Sequence, residues 1–484
     1  MDQYKNSLSL IVLVAITCLI STTTWAQPDH FKFGMGIPSE PDLEYDNLPV
    51  KARLTTANYR AVDTRASLVK YAPSPKSQGQ YGTCTAWAAG FCARTIVEAQ
   101  RQGWTKQSTI NDNAFSPGFI YRVTSPKTNC NGAYVSDCLK SLQEFGIAQL
   151  KDYNEDCPQT AIPKQIYKKA EAYKIKGYAT LWNTNNPSTE KQRVQLVKKS
   201  IDEGNPVIIA MYVPNSFCYS KGPTWFPKST DLAVGDQGHQ HGRHAMCIVG
   251  YDDEQDGGAF RIQNSWGNAW ADKGYIWVRY EDAAEFIYQA IELFKMPAIA
   301  SKNETTKLAG ALKLVEDTGQ EMTASLNSSK AYQMNKAYRS GTRFRIYLNT
   351  YQPAYVYAIG SDNSNKIYQV FPHKKGVSPV LNYSENSVPI PSQDHHVRMD
   401  GNIGTDYLCV IYSKNPLNLE EIKRTVSQES SRYSFQEKVQ RALGSQLMSN
   451  DNINYGIKDG KMSFTAEAKG KSIAVLFLQM EHID

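Results

Sequence analysis

The chain of 484 residues is 41% hydrophobic and 21% charged, a globular composition too long for one ordinary domain, so two folded domains are expected. Its formal net charge of +6 comes from 53 basic and 47 acidic residues scattered along the sequence. No basic run tracks a phosphate backbone, which argues against nucleic acid as a partner.

The first element is an apolar stretch, "SLIVLVAITCLIST" (Ser9 to Thr22), preceded by Lys5 and followed by Thr24-Trp25-Ala26. It is too short to span a bilayer comfortably, and small residues at the minus-three and minus-one positions suit cleavage after Ala26. The expectation is a signal peptide, 1–26, and a secreted or periplasmic product with no membrane span once the signal is removed. Acylation of Cys18 is the rival reading, but Ala15-Ile16-Thr17 is a poor match to a lipidation signal. Eight cysteines remain after cleavage, far from the density of a disulfide scaffold.

Residues 27–62 read as a short N-terminal arm rich in Pro, Asp and Gly. From 63 to 296 helix-like and strand-like segments alternate. "AWAAGFCARTIVEAQ" (Ala86 to Gln100) has the apolar spacing of a helix buried on a broad face, with its start at Cys84, and "SDCLKSLQEFGI" (Ser136 to Ile147) is a second helix. "HAMCIVGYDD" (His244 to Asp253) reads as a strand headed by a histidine, and "FRIQNSWGNAWADKGYIWVRY" (Phe260 to Tyr280) follows it. A polar break at 297–307 forms a linker. Beyond it, 308–484 is strand-rich: Phe344 to Thr350, Ala354 to Asp362, Lys366 to Pro372, Tyr407 to Ser413 and Ile473 to Met480 alternate apolar and polar residues between turns, the pattern of an antiparallel sandwich. One amphipathic segment, Phe435 to Met448, is expected to pack on it as a helix.

A cysteine at a helix start gains from the backbone amides there, whose partial positive charge favours thiolate over thiol. Such a sulfur becomes a nucleophile only beside an imidazole that is itself oriented by a third group. His244 and Asn264 supply those residue types, 160 positions beyond Cys84 and a further 20 on, so the fold must assemble them.

Four motifs carry a family resemblance. "SQGQYGTCTAWAA" around Cys84, "NCNGAY" (Asn129 to Tyr134), "HAMCIVGYDD" and "QNSWGNAW" (Gln263 to Trp270) resemble, in order, the nucleophile, cleft, histidine and Asn-Ser-Trp-Gly segments of the papain-like cysteine peptidases. The resemblance implies an α+β fold in two lobes, one helical and one like a β-barrel, followed here by the all-β sandwich. It implies a thiol endopeptidase without cofactor or metal that acts on protein or peptide substrates. Cys84 would be the nucleophile, His244 its base and later acid, Asn264 the holder of the second ring nitrogen, and Trp266 its shield. Gln78 and the Cys84 amide would form the oxyanion hole. Gly132 and Ala133 would pair with substrate backbone, and Tyr134 would line the pocket for the second residue before the cleaved bond.

The chain departs from that pattern in several places. Tyr81 stands where the family usually has a cysteine, so Cys130 lacks its usual partner and can pair instead with Cys157. Thr85 replaces the aromatic residue after the nucleophile, and Ala133 replaces a glycine. The arm is too short for the family's folded inhibitory propeptide; it is expected to be a short, trimmable extension. Cys92, Cys138 and Cys247 read as core thiols. His239 and His241 could share a metal on a strand, but without a third ligand a solvated loop is the better reading. The C-terminal part resembles a bacterial β-sandwich domain of uncharacterised function; its tyrosines suggest an envelope or protein ligand, or equally half-buried packing. Competing functions are a Cys-His amidase or transferase acting on cell-wall amides, and a non-catalytic binding protein on the same scaffold.

Overall fold

The computed structural model describes residues 33–484 apart from 126–128, 158–159, 232–240, 297–306, 363, 365 and 383–386. The expected signal segment, His239 and nearly all of the expected linker lie outside the described residues. Among the described residues no helix is long and apolar enough to cross a membrane.

The helical lobe is built on one buried rod. Cys84–Ala86, Trp87–Arg94 and Thr95–Gln102 run end to end, the middle eight residues with π-type winding and every one of them buried. Small side chains allow this depth: a Cβ on Gly90 would stand 2.8 Å from Ile147 and 2.9 Å from Ile120, so neighbouring elements pack directly on the backbone. The helix begins where the sequence indicates, but it reaches Gln102, where Gly103 at φ 69° ends it. Arg94 is fully buried inside this lobe, its charge met by Glu98 at 2.8 Å and its plane lying over the Phe115 ring. Helices Pro117–Thr124 and Val135–Glu144 flank the rod. Cys130 and Cys157 are bonded as a disulfide beside them.

The second lobe is an eight-stranded sheet. Its path runs Tyr178–Thr180, Ile287–Leu293, Val207–Val213, Gly242–Asp252, Ala259–Gln263, Tyr275–Arg279 and Thr224–Trp225, and Arg65–Ser67 adds to Gly242–Asp252. The strand Gly242–Asp252 is central, which explains why "HAMCIVGY" is an unbroken apolar run: from His244 to Tyr251 every residue is buried.

The C-terminal region is a sandwich of two sheets. One holds Lys307–Glu316, Arg343–Thr350 and Lys461–Glu467; the other holds Ile473–Ile483, Gly404–Ser413 and Ala354–Ser361. Tyr412, Leu476 and Phe464 lie in the core between them. The second sheet is covered on its outer face as well, by helices Leu419–Gln428 and Phe435–Leu443, whose Val426 and Val439 pack on Cys409, Ile411 and Phe477. Three features differ from the sequence expectation. Helix Leu419–Gln428 has no counterpart in that reading, and Phe435–Leu443 gives way to a 3-10 turn at Gly444–Gln446, short of Met448. The sandwich is also not wholly antiparallel, since Tyr332–Met334 and Tyr338–Arg339 pair in parallel with Ile473–Ile483.

The N-terminal arm is the largest surprise. Its second half is threaded between the two domains. Lys51 N–H donates to Thr180 O at 2.9 Å on one side, and on the other Val50 N–H donates to Gly376 O at 2.7 Å while Val50 O accepts from Ser378 at 2.8 Å. Ala52 and Leu54 belong to the core of the C-terminal sandwich, while Tyr45 and Leu48 belong to the core of the first domain.

Candidate active site

Cys84 opens the buried rod at the bottom of the groove between the two lobes, and its residue is wholly inaccessible. His244 lies near the start of the central strand, and its Nε2 meets Asn264 Oδ1 at 2.8 Å. Asn264 follows strand Ala259–Gln263, and its amide oxygen also accepts from Ser265 N–H at 2.7 Å. The Trp266 ring stacks on the imidazole at 4.6 Å between centroids and 24° between planes, covering the His244–Asn264 bond. His244 Nδ1, on the other side of the ring, is buried without a hydrogen-bond partner.

Gln78 is held from both ends. Its Oε1 accepts from Ser265 Oγ at 2.5 Å, its backbone N–H donates to Ser265 O, and its Nε2 projects into the groove. The opposite rim is Gly132, Ala133 and Tyr134. Tyr121 positions it, because its hydroxyl accepts from Gly132 N–H at 3.0 Å and donates to Gly132 O at 2.9 Å. The methyl of Ala133 leaves that residue's N–H free to bind backbone.

The groove is filled by the chain's own residues 33–37. Gly34 O accepts from Gln78 Nε2 at 2.6 Å, and Gly36 O accepts from Ala133 N–H at 2.9 Å. The amide of Gly36 faces the Cys84 sulfur, as does that of Ala245. Ile37 N–H points to Arg243 O at 3.4 Å, and the Phe33 ring sits 4.9 Å from that of Trp266. Only glycine fits at two of these places. A Cβ on Gly36 would lie 2.3 Å from the Gly82 backbone, and Gly34 adopts φ 64° with a Cβ position 2.5 Å from Tyr81 O. The short extension read from the sequence therefore occupies the cleft. Beyond Ile37 a cavity of about 520 Å³ opens between Tyr134, Tyr212, Tyr288 and Arg243, roofed by Pro38 to Asp42.

This covering sets the electrostatics. Burial pushes the Cys84 thiol up, against the lowering effect of the Ala245 and Gly36 amides. Burial also pulls His244 down to about 4, with the Asn264 bond opposing. The plugged site thus holds a neutral thiol and a neutral imidazole, not the ion pair that a helix-terminal cysteine suggests.

Cys84, His244, Asn264, Trp266, Gln78, Gly132, Ala133 and Tyr134 thus line this one groove. Cys92 and Cys247 are buried in the core below, with Cys92 Sγ 3.3 Å from Gln263 Oε1, and Cys138 is buried on helix Val135–Glu144. His241 Nε2 lies 3.0 Å from Asp231 O, and no group of three metal-ligating side chains occurs among the described residues. Ser265, Tyr121, Arg243 and the plug were missed. Ser265 was legible in the Asn-Ser-Trp-Gly segment; for the others no local pattern marks the role.

Cys84 at its buried helix start lies against the strand that carries His244, with the Ala245 amide facing its sulfur and with Asn264 and Trp266 on the imidazole. Residues 59–292 match the family described as Papain family cysteine protease, and residues 337–416 match one described only as a domain of unknown function. The first domain of the chain belongs to the papain family of cysteine proteases. An uncharacterized peptidase C1-like protein of Acanthamoeba polyphaga mimivirus is 26% identical over 273 residues, 51% of this chain and 82% of that protein. Mouse cathepsin K is 27% identical over 213 residues, 42% of this chain and 55% of that protein. This chain thus spans little more than half of the cathepsin's length. Among solved structures, xylellain, a cysteine protease from Xylella fastidiosa, aligns with a TM-score of 0.43 and 23% identity over 56% of this chain and 97% of its own.

Proposed function

We propose that the chain is an exported cysteine endopeptidase that hydrolyses peptide bonds through Cys84, His244 and Asn264, held latent by its N-terminal arm. The observation that carries this reading is the polypeptide already lying in the groove. Residues 33–37 satisfy Gln78, Ala133 and Arg243 with backbone groups alone, so the groove accepts a peptide by its main chain.

Removing the plug would rehydrate the site and relieve the burial that keeps both groups neutral. The proton then passes from the Cys84 thiol to His244 Nδ1, giving a thiolate and an imidazolium. The sulfur attacks the substrate carbonyl carbon, and the oxyanion takes the hydrogen bond from Gln78 Nε2 that Gly34 O now holds. His244 returns its proton to the leaving amine, and the thioester acyl-enzyme is hydrolysed by water with the imidazole as base. Asn264 keeps the ring turned with Nδ1 toward sulfur, and Trp266 keeps water off that bond.

The plug survives because of its direction. It runs from Trp266 and Gln78 past Cys84 toward Tyr134. A substrate whose second residue before the scissile bond contacts Tyr134 must run the opposite way, and the plug turns the Gly36 amide, not a carbonyl carbon, toward the sulfur while its Gly34 and Gly36 carbonyls bond Gln78 and Ala133.

A fluorogenic peptide assay on chain freed of its arm tests the reading. Activity is expected, with loss to background in Cys84→Ala and loss of labelling by an epoxide that captures activated thiolates. Hydrolysis of muropeptides but not of peptides would instead support an amidase. Export is tested by finding the mature chain outside the cytoplasm with its N-terminus near Gln27 or beyond.

A further inference from the structure

We infer that the C-terminal sandwich carries a second hydrolytic centre: Ser340, His482 and Asp406, with Arg398 beside them, are placed to cleave a small neutral carboxylic ester by acyl transfer to Ser340. This centre shares no residue with the thiol site or the arm, and it stands whether or not the first domain cuts peptides.

Two neighbouring strands lead to it. Ala474, Leu476, Leu478 and Met480 of strand Ile473–Ile483, and Tyr412, Val410 and Leu408 of strand Gly404–Ser413, belong to the apolar core between the sheets. One step further along the same alternation, the series changes to His482 on the first strand and to Asp406 on the second. His482 Nε2 meets Ser340 Oγ at 2.9 Å, Ser340 lying in the turn after Tyr338–Arg339. His482 Nδ1 stands 3.2 Å from Asp406 Oδ2, at ion-pair distance but not aligned as a hydrogen bond, as catalytic contacts often are before substrate arrives. The imidazole tautomer with its hydrogen on Nδ1 leaves Nε2 to accept the Ser340 proton. Nucleophile, base and orienting acid then follow one another in space. The His482 side chain is fully buried, while Ser340 is partly exposed.

A cavity and an unpaired cation adjoin these three residues, and a purely structural tie would need neither. The cavity, about 330 Å³, opens where the two sheets part; Leu314, Phe344, Leu478 and Met480 wall it, and Asp406 and Arg398 reach its edge. It is short and apolar-walled, which suits an acyl chain and not an extended polypeptide. Asp362 and Asp400 also stand at its edge, which disfavours an anionic occupant; both are already bonded, Asp362 by Ser364 and Tyr368 and Asp400 by Asn402. Arg398 makes no ion pair among the described residues, and its guanidinium lies beside Gly341, where a Cβ would be 3.8 Å from Nη2. The turn's own amides are committed, Ser340 N–H to Ile483 O and Gly341 N–H to Met399 O, so Arg398 is the group left to meet an oxyanion.

The step balances within these groups and water. Ser340 Oγ bonds to the ester carbonyl carbon as its proton passes to His482 Nε2. The ester C–O bond breaks, and the alcohol leaves with that proton. Water then attacks the acyl-serine with His482 as base, releasing the carboxylic acid and restoring Ser340.

The test uses the full chain carrying Cys84→Ala, so that the thiol of the first domain takes no part. Hydrolysis of p-nitrophenyl butyrate above the buffer rate is expected, returning to that rate when Ser340→Ala is added. A fluorophosphonate probe should leave its adduct on Ser340, read by mass spectrometry of the digested chain, and His482→Gln should slow that labelling at least tenfold. Because His482 is buried, Arg398→Gln at the exposed edge supplies a second variant, with ester hydrolysis lowered at least tenfold and the melting profile unchanged. Ester hydrolysis that survives Ser340→Ala, or a folded chain with neither turnover nor a Ser340 adduct, overturns the inference. Neither result bears on peptide hydrolysis through Cys84, so the two readings fail separately.

Discussion

His244 must carry a proton during the proposed reaction, yet the plugged site holds it near pKa 4, below the ordinary imidazole value. Asn264 and Trp266 contact the ring, and neither is charged to offset burial. The sign follows directly. A state that hydrates the ring binds its proton more tightly, so the closed state loses stability as pH falls below the usual imidazole range of about 6.5, by up to about 3 kcal/mol once pH reaches about 4. The raised Cys84 thiol adds a second loss at alkaline pH, above its ordinary range. Melting temperature is therefore expected to fall between pH 7 and 4, and to fall less in His244→Gln. An equal fall in both would dissociate acid sensitivity from this ring. Gly36 gives a complementary prediction at the same scale. Because its Cβ would meet the Gly82 backbone at 2.3 Å, Gly36→Ala should expel the plug from uncut chain, and iodoacetamide should reach Cys84 at least tenfold faster. Among the described residues Cys92, Cys138, Cys218, Cys247 and Cys409 are also buried, and Cys84→Ala supplies the blank, so the label reports this site.

At the scale of elements, the cleft depends on segments pinned in place. The loop that carries Asn129 to Tyr134 is pinned by Tyr121 on one side and by the Cys130–Cys157 bond on the other, with Gly82 N–H donating to Cys130 O at 2.6 Å. This disulfide spans 27 residues, for which chain entropy alone gives about 3 to 4 kcal/mol. The double variant Cys130→Ser, Cys157→Ser should unfold at markedly lower denaturant, and its KM for peptides should rise more than its kcat falls, since the rim and not the sulfur is released. Unchanged denaturation midpoints would remove the bond from the stability account. Legibility at this scale followed periodicity. Strands such as Ala354–Ser361 and Ile473–Ile483 were plain because their β-branched and aromatic runs are bounded by turns. Helix Leu419–Gln428 was not, because "LEEIKRTVSQ" buries only Leu419, Ile422 and Val426 and otherwise resembles a polar connection.

At the scale of the whole molecule, Glu292 is where three parts of the chain meet. It is fully buried, and it accepts from Lys51 of the arm, from Ser200 and Asn205 of the first domain and from Asn382 of the sandwich. Glu292→Gln takes from the buried Lys51 ammonium the carboxylate it meets at 2.5 Å and leaves Glu203 as a nearby acid, so the cost is expected below the roughly 3 to 5 kcal/mol of a fully unpaired buried charge. Urea unfolding should shift accordingly, and adding Lys51→Met should recover part of the loss. If the single change is silent, the arm is not held between the two domains by this pair. The sandwich thereby becomes part of the peptidase's architecture and not an appendage on a string.

What the sequence determined by itself was chemistry and order. Cys84, His244 and Asn264 could be chosen because a helix start and a strand head are local patterns with local causes, while Gln78 and Trp266 came with the family resemblance of their motifs. The two domains were legible for the same reason, in a change of hydrophobic period near residue 307. Tertiary structure alone decided what the arm does. A run of Gly, Pro and Asp carries no periodicity, and its partners, Gly82, Ala133, Thr180, Gly376 and Glu292, lie tens to hundreds of residues away. Whether such a segment plugs a groove or trails into solvent depends on distant backbone groups that only the folded chain brings within reach.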